Sequence, residues 1–248
     1  MAARPGYRVA VPRTQPEQQA PPVQRLRVRY AKRGRLRFTS HRDFSRAFER
    51  AIFRARLPMA YSSGFNPHPR ISYAGAAPTG SASEAEYLEI GLAQVLDPAE
   101  VHRMLDESLP DGLDVLEVVE SPGGSLADLL QASRWRITLP GAGDLNGLVE
   151  AFLAAETVTV ERMTKKGLRE FDARAAVLSL EAQTSGDVTV LDVVIEHVVP
   201  AVRPDDVLTA LASVGEFPTG IVPLLTRVAQ GPLERATGTV RDPLTPAS

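Results

Sequence analysis

The sequence predicts an α+β chain built from two ferredoxin-like domains in tandem, each with the element order β-α-β-β-α-β. Three observations carry that prediction. Short stretches such as "RLRVRYA" and "RWRITL" alternate apolar and polar residues, the period of a half-buried strand. Between them lie stretches with helical spacing and helix-start residues. The same order of elements then recurs on either side of a Pro-Gly-Gly break, "ESPGGSLADLLQAS".

Residues 1–24 are rich in Pro, Gln and Ala and are expected to form a disordered tail. A first domain over 25–120 starts with the strand "RLRVRYA", where Leu26, Val28 and Tyr30 share a face. A glycine turn and a second extended piece, "RLRF", follow. A helix is expected from about His41 to Ala55, with Ser40 as N-cap and Asp43 three residues on. It stops before Pro58, and a loop leads to a strand near "RISYA". The strand "AEYLEIGL", a helix from about Pro98 to Ser108 and the strand "LDVLEVV" complete this domain. Residues 121–133 read as a linker.

The second domain, 134–231, runs through "RWRITL", a helix over about 144–155 and a β-rich stretch with a basic turn at Lys165 and Lys166. Then come "VTVLDVVIEHVV", a helix that opens at Pro204, and "GIVPLLTRVA". The β-rich stretch holds one hairpin more than the ferredoxin-like order requires. Residues 232–248 are expected to be a second disordered tail.

Composition narrows the functional classes. The 248 residues include no cysteine. Disulfides, thiol catalysis, cysteine zinc sites and iron–sulfur clusters held by this chain's own thiolates are therefore excluded. No apolar run approaches the ~18 residues that span a bilayer. The N-terminus has no apolar signal core, so a cytoplasmic location without membrane contact is expected. Net charge is −2, yet residues 1–70 carry +13 and the remainder −15. A basic block of that size suits a polyanion such as RNA. The alternative is that it packs against the acidic half, and 25 of 28 cations being arginine makes arginine partly a default surface residue.

The first helix sharpens the charge argument. Phe44, Ala47, Phe48, Ala51, Ile52 and Ala55 make one apolar stripe. Arg42, Arg46, Arg50 and Arg54 recur every four residues away from it. Like charges at that spacing repel by a few tenths of a kcal/mol per pair, which a polyanion relieves. On the first strands Arg27 and Arg29, then Arg35 and Arg37, alternate with apolar residues. They are expected on the helix-free face of the sheet, which RNA-binding domains of this topology use. The second domain could instead cover that face.

The loop "GFNPHPR" adds a stiff presentation of Phe65, His68 and Arg70. Asn66 and His68 each precede a proline, which holds them extended, and Pro67 and Pro69 fix their own φ. Gly64 opens the turn. His41, His68 and Tyr61 are candidates for the acid and base of a metal-independent ribonuclease. The simpler alternative is a helix cap at His41 and a rigid corner at His68. His41, Asp43, His68 and Glu86 are donor types that suit zinc or manganese, but no compact spacing joins them, so no metal and no cofactor is expected. Glu86 shares a face with Leu88 and Ile90 and should pair with an arginine, Arg46 or Arg50 being candidates. Tyr87, on the other face, is a candidate for base stacking. Lys165 and Lys166 form a second phosphate-gripping candidate.

Residues 36–92 carry Ser40-His41-x-Asp43, Arg46, Arg50-Ala51, Leu57-Pro58, Tyr61, Gly64-Phe65-Asn66-Pro67-His68-Pro69, Gly80 and Ser83-x-x-Glu86-Tyr87. This block resembles the bacterial radical-SAM-associated (radical-SAM-linked) family, whose function is uncharacterised. More distantly, the chain is similar in outline to RAMP-type ferredoxin-like RNA-binding proteins, which include RNA-processing endoribonucleases. The resemblance implies an accessory protein that presents a structured RNA to a radical-SAM enzyme or RNA-processing protein in trans. Without cysteine, the chain cannot itself be the radical-SAM enzyme. A metal-independent RNA endonuclease and a protein–protein interaction module are the alternatives.

Overall fold

A computed structural model of the protein describes residues 18–164 and 167–245. Its α+β architecture is organised around one eight-stranded sheet. The first half contributes β1 (Gln24–Lys32), α1 (His41–Arg54), β2 (Ile71–Ala74), β3 (Ala82–Leu92), α2 (Pro98–Asp106) and β4 (Val115–Glu120). Strand β4 pairs with β1, β1 with β3 and β3 with β2, all antiparallel. That is the split β-α-β arrangement of a ferredoxin-like fold. A short helix, α3 (Leu126–Leu129), leads into the second half.

The second half contains β5 (Ala132–Pro140), α4 (Asn146–Ala154), a hairpin of β6 (Thr159–Thr164) and β7 (Gly167–Asp172), then β8 (Val177–Ser185), β9 (Val188–Glu196), α5 (Pro204–Val214) and β10 (Leu224–Gly231). Its strands lie in the order β10-β5-β9-β8, the same relative order as β4-β1-β3-β2. The extra hairpin leaves the main sheet, and Val160 and Phe171 bury its inner side in the second core. Its expected lysine tip, Lys165 and Lys166, lies outside the described residues.

Each half has its own apolar core. Leu26, Val28 and Tyr30 of β1 meet Phe44, Phe48 and Ile52 of α1. Trp135, Ile137 and Leu139 of β5 meet Phe152 and Leu211. Helix α1 begins as its sequence dictates: the Ser40 hydroxyl accepts from the Asp43 N–H at 3.2 Å and donates to the Asp43 carboxylate at 2.7 Å. Strand β10 then joins β3 in parallel, Arg227 beside Ser83, so the two sheets run on as one.

Buried charge marks that seam. Arg227 and Glu86 are 3% and 2% exposed and form an ion pair. Arg227 also donates to Gln230 Oε1 at 2.8 Å and Ser83 Oγ at 3.3 Å, with its guanidinium 5.5 Å from the Trp135 ring centroid. The second Glu86 oxygen accepts from the Ala77 N–H at 3.1 Å. The sequence points Glu86 to Arg46 or Arg50; both lie on the outer face of α1, so an arginine from the other half takes that place. Nearby, burial lowers the pKa of Lys32, whose ammonium donates to the carbonyls of Ala77 and Pro78.

Three further expectations are corrected. The piece "RLRF" is not a strand: Gly34–Phe38 form a 3-10 turn, which leaves Phe38 exposed and takes Arg35 and Arg37 off the sheet. The C-terminal tail is not disordered over its described part. Strands β11 (Leu233–Glu234) and β12 (Thr239–Val240) pair, and Leu244 is buried against the helix-free face of the first half. Leu126 and Leu130 cover the same patch, so Tyr87 is buried beneath them and is not open to a stacking base. Of the expected N-terminal tail, residues 1–17 lie outside the described residues. Val23 already donates its N–H to Leu92 at 2.9 Å.

His197 closes the seam. Its Nδ1 donates to the Leu130 carbonyl at 2.7 Å, which leaves Nε2 to accept from the Ser133 hydroxyl at 3.1 Å. Ser133 in turn accepts from the Trp135 indole at 2.8 Å. Burial, together with the Arg227 charge, lowers the His197 pKa below its ordinary 6.5.

The seam can be tested in two ways. Glu86→Ala strands Arg227 in a dry site and should cost about 3–5 kcal/mol in urea unfolding, whereas Glu86→Leu combined with Arg227→Met should cost far less than the two single changes together. Because the His197 pKa is lowered on folding, the unfolded chain binds the extra proton. Stability should hold above pH 6.5 and decline as pH falls below it. His197 keeps an exposed edge, so the slope is shallow, and His197→Gln should flatten it in a pH series of melting temperatures.

Candidate polyanion interface

Within the basic block the structure treats the arginines on and beside β1 differently from those of α1. The strand arginines are consumed internally. Arg27 is 1% exposed and donates to the carbonyls of Gly123 at 2.7 Å and Gly124 at 3.3 Å and to Glu89 at 3.4 Å. Arg29 donates to the Glu84 carbonyl at 2.8 Å and lies 3.7 Å from Asp242. Arg25 pairs with Glu89, and Arg33 with Glu84 and Asp114. The helix-free face of this half is therefore closed by α3 and the C-terminal segment, and Arg27 and Arg29 are withdrawn from a polyanion there.

The helix arginines differ. Arg42, Arg46, Arg50 and Arg54 are exposed, and among the described residues none has a carboxylate within 4.0 Å. Arg54 donates one N–H to the Ser108 carbonyl at 3.1 Å. The apolar stripe of α1 faces the sheet, so helical geometry points this ladder into solvent. Arg46, Glu49, Arg50, Phe53, Arg54 and Arg56 line a shallow hollow on it.

Phe53 and Arg56 are absent from the sequence-level site. Phe53 is 84% exposed in the middle of the arginines. The signal was present: Phe53 falls between Arg42 and Arg46 on a helical wheel, off the Phe44–Phe48–Ile52 stripe. Arg56 has φ 53°, the one positive φ at a non-glycine position among the described residues. Its N–H donates to Phe53 at 3.1 Å and that of Leu57 to Ile52 at 3.2 Å. These are the two bonds of a Schellman cap, whose left-handed position glycine ordinarily fills. Nothing in the sequence betrays it, because the expected glycine is missing.

The proline loop extends the same end of the helix. Tyr61 and Pro69 bridge its neck, and the His68 N–H donates to Ser62 Oγ at 3.0 Å. Gly64 has φ 119°, which a side chain would resist. Phe65 is 60% exposed, Asn66, Pro67 and His68 are exposed, and Tyr61 is 43% exposed. Arg70 is half-buried and donates to the Tyr61 carbonyl at 3.1 Å. Phe38, Phe53, Tyr61 and Phe65 are the exposed large aromatic side chains among the described residues, all within this basic stretch.

The two candidate catalytic histidines are not brought together. His41 opens α1 and meets the edge of Tyr73 at 5.0 Å, on the strand position paired with Leu88. The neck of the His68 loop bonds at Gly91, beyond the other end of the helix. The fourteen residues of α1 span about 20 Å between those ends. Burial raises the Tyr73 pKa to about 12. Tyr61 stands in the loop with His68, remote from His41. Glu86 is sealed in the seam, away from His41, Asp43 and His68.

A sequence profile described as an uncharacterized protein conserved in bacteria (DUF2344) matches residues 25–204. The chain belongs to the DUF2344 family. Both the arginine ladder and the proline loop of this DUF2344 chain lie inside the matched region. No curated protein matches it. Among the solved structures that share partial likeness with it are the following two. "Crystal Structure of a Cbf5-Nop10-Gar1 Complex" is 12% identical with a TM-score of 0.47, over 88% of this chain and 55% of that one. "Crystal Structure of an Unknown Protein from Galdieria sulphuraria" is 16% identical with a TM-score of 0.24, over 83% and 99%. This chain thus spans about half of the first, and neither likeness bears on function.

Arg56→Gly tests the strained cap. Release of the left-handed conformation is worth about 1–2 kcal/mol, against roughly 0.5–1 kcal/mol for glycine's extra unfolded-state freedom. Urea unfolding should show a gain of about 0.5 kcal/mol, where arginine-to-glycine changes elsewhere on α1 lose stability.

Proposed function

We propose that this protein is a non-enzymatic RNA-binding adaptor that grips its RNA on the outer face of α1. The observation that carries this reading is the contrast within one basic block: strand arginines have internal partners, and the helix arginines have no carboxylate partner among the described residues. Four arginines on one surface, with Glu49 as the one carboxylate lining the hollow and none of the four in an ion pair among the described residues, repel one another at a cost that phosphates would remove. The stiff loop with Phe65 and His68 then forms a rim at the C-terminal end of the helix.

The resemblance of residues 36–92 to the radical-SAM-linked family supports a role in presenting RNA to a radical-SAM enzyme or RNA-processing partner in trans. The absence of cysteine keeps the cluster chemistry on that partner. A RAMP-type endonuclease activity is less well supported, since an acid and a base must flank one phosphate and His41 and His68 stand at opposite ends of α1.

Binding to total cellular RNA should weaken steeply with salt, with a logarithmic slope of about 0.7 for every phosphate that an arginine neutralises. Arg46→Glu with Arg50→Glu should abolish binding in a filter or fluorescence assay and leave the melting temperature nearly unchanged. Arg169→Glu, on the exposed β7 strand of the other half, should bind as the parent does. Absence of binding, or an affinity indifferent to salt, would refute the adaptor reading.

A further inference from the structure

We infer that the α1 hollow holds an unpaired nucleotide, with its base stacked on Phe53, so that the preferred ligand is single-stranded or loop RNA rather than duplex. This rests on the RNA-binding reading of the same face. A duplex offers a helix face only phosphates and groove edges, because its base planes are stacked inside. Arginines alone suffice for that. Phe53 is an unprotected ring, 84% exposed, in the hollow that Arg46, Arg50, Arg54 and Arg56 line with it. An aromatic platform ringed by guanidinium groups is what a splayed base with its flanking phosphates requires.

Glu49 decides between the two ligands more sharply. It is exposed in the same hollow, where it repels phosphate. A duplex backbone laid along the ladder would meet it at a loss. An unpaired base brings exocyclic amino groups, and a carboxylate accepts from them. Cytosine, adenine and guanine carry such an amine and uracil does not. Uracil offers the carboxylate only its ring N3–H, flanked by two carbonyl oxygens that repel it, so the hollow fits an amine-bearing base over uracil.

Arg56 marks the site as built rather than incidental. A left-handed non-glycine residue stands at the rim, where a glycine would relieve the backbone. The left-handed turn ends the helix, and Arg56 lines the same hollow as Phe53 just beyond that end. Phe65 and Tyr61, exposed in the following loop, lie next along the chain at that end of α1 and supply further aromatic surface for adjoining nucleotides.

The test uses the full chain with fluorescent oligonucleotides of equal length: oligo-C, oligo-A, oligo-U and an RNA duplex, across a salt series. The parent should bind oligo-C and oligo-A at least tenfold more tightly than duplex, and more tightly than oligo-U. Phe53→Ala should lose about tenfold on single strands with the salt slope intact and duplex binding unchanged, and Phe53→Trp should restore it. Glu49→Gln should narrow the gap between oligo-C and oligo-U. Arg56→Gly should weaken binding without lowering the melting temperature. If Phe53→Ala binds single strands as the parent does while Arg46→Glu/Arg50→Glu abolishes binding, the stacking inference falls and the adaptor reading stands. If the parent binds none of these RNAs, both fall, and capture of a protein by the parent but not by Phe53→Ala would then assign the hollow to a protein partner.

Discussion

The buried pair of Arg227 and Glu86 is the constraint on which this architecture turns. It joins an arginine of the second half to a carboxylate of the first in a dry seam, with Ser83, Gln230 and the Ala77 N–H meeting the remaining polar atoms. Desolvating two charges is costly, and the cost is offset only if every hydrogen bond is in place. The strands that carry them must therefore sit in register, Arg227 beside Ser83. One register of β10 on β3 follows, and with it one continuous sheet. His197 and Trp135 extend the same logic through Ser133.

That sheet then decides which arginines can reach a ligand. Its helix-covered side takes the apolar side chains of β1. Its other side holds Arg25, Arg27 and Arg29, and there Gly123, Gly124, Glu89 and Asp242 lie within reach. Leu244 and Leu126 seal the patch around Tyr87. What stays open is the far side of α1, a full helix diameter away from the sheet. The positive face is thus what remains where the fold's own counter-charges do not reach, and the exposed ring of Phe53 lies on it.

The legible part of the site was the part written in a short period. Arg42, Arg46, Arg50 and Arg54 recur every four residues, and helical geometry alone places them on one face. Glycine and proline marked the Gly64–Pro69 loop in the same local way. Illegible were features that depend on distant chain. Arg27 and Arg46 are the same residue type in the same basic stretch, yet one is buried by glycine carbonyls 96 residues away and the other is bare. The 3-10 turn at Gly34–Phe38 has strand-like alternation, and only its place between β1 and α1 denies it a partner strand.

The amino-acid sequence by itself determined the α+β class, the order of the main strands and helices in both halves, the capped start of α1 at Ser40 and the lopsided charge. Each of these rests on residues within a few turns of helix or one strand length, where propensity, capping and amphipathic period act directly. Only the tertiary structure decided that Glu86 takes Arg227, that the C-terminal segment covers Tyr87, and that Phe53 and Arg56 join the arginine ladder in one hollow. Those outcomes come from pairing between residues far apart in the chain. Burial and charge neutralisation there are properties of the packed whole, and no local pattern encodes them.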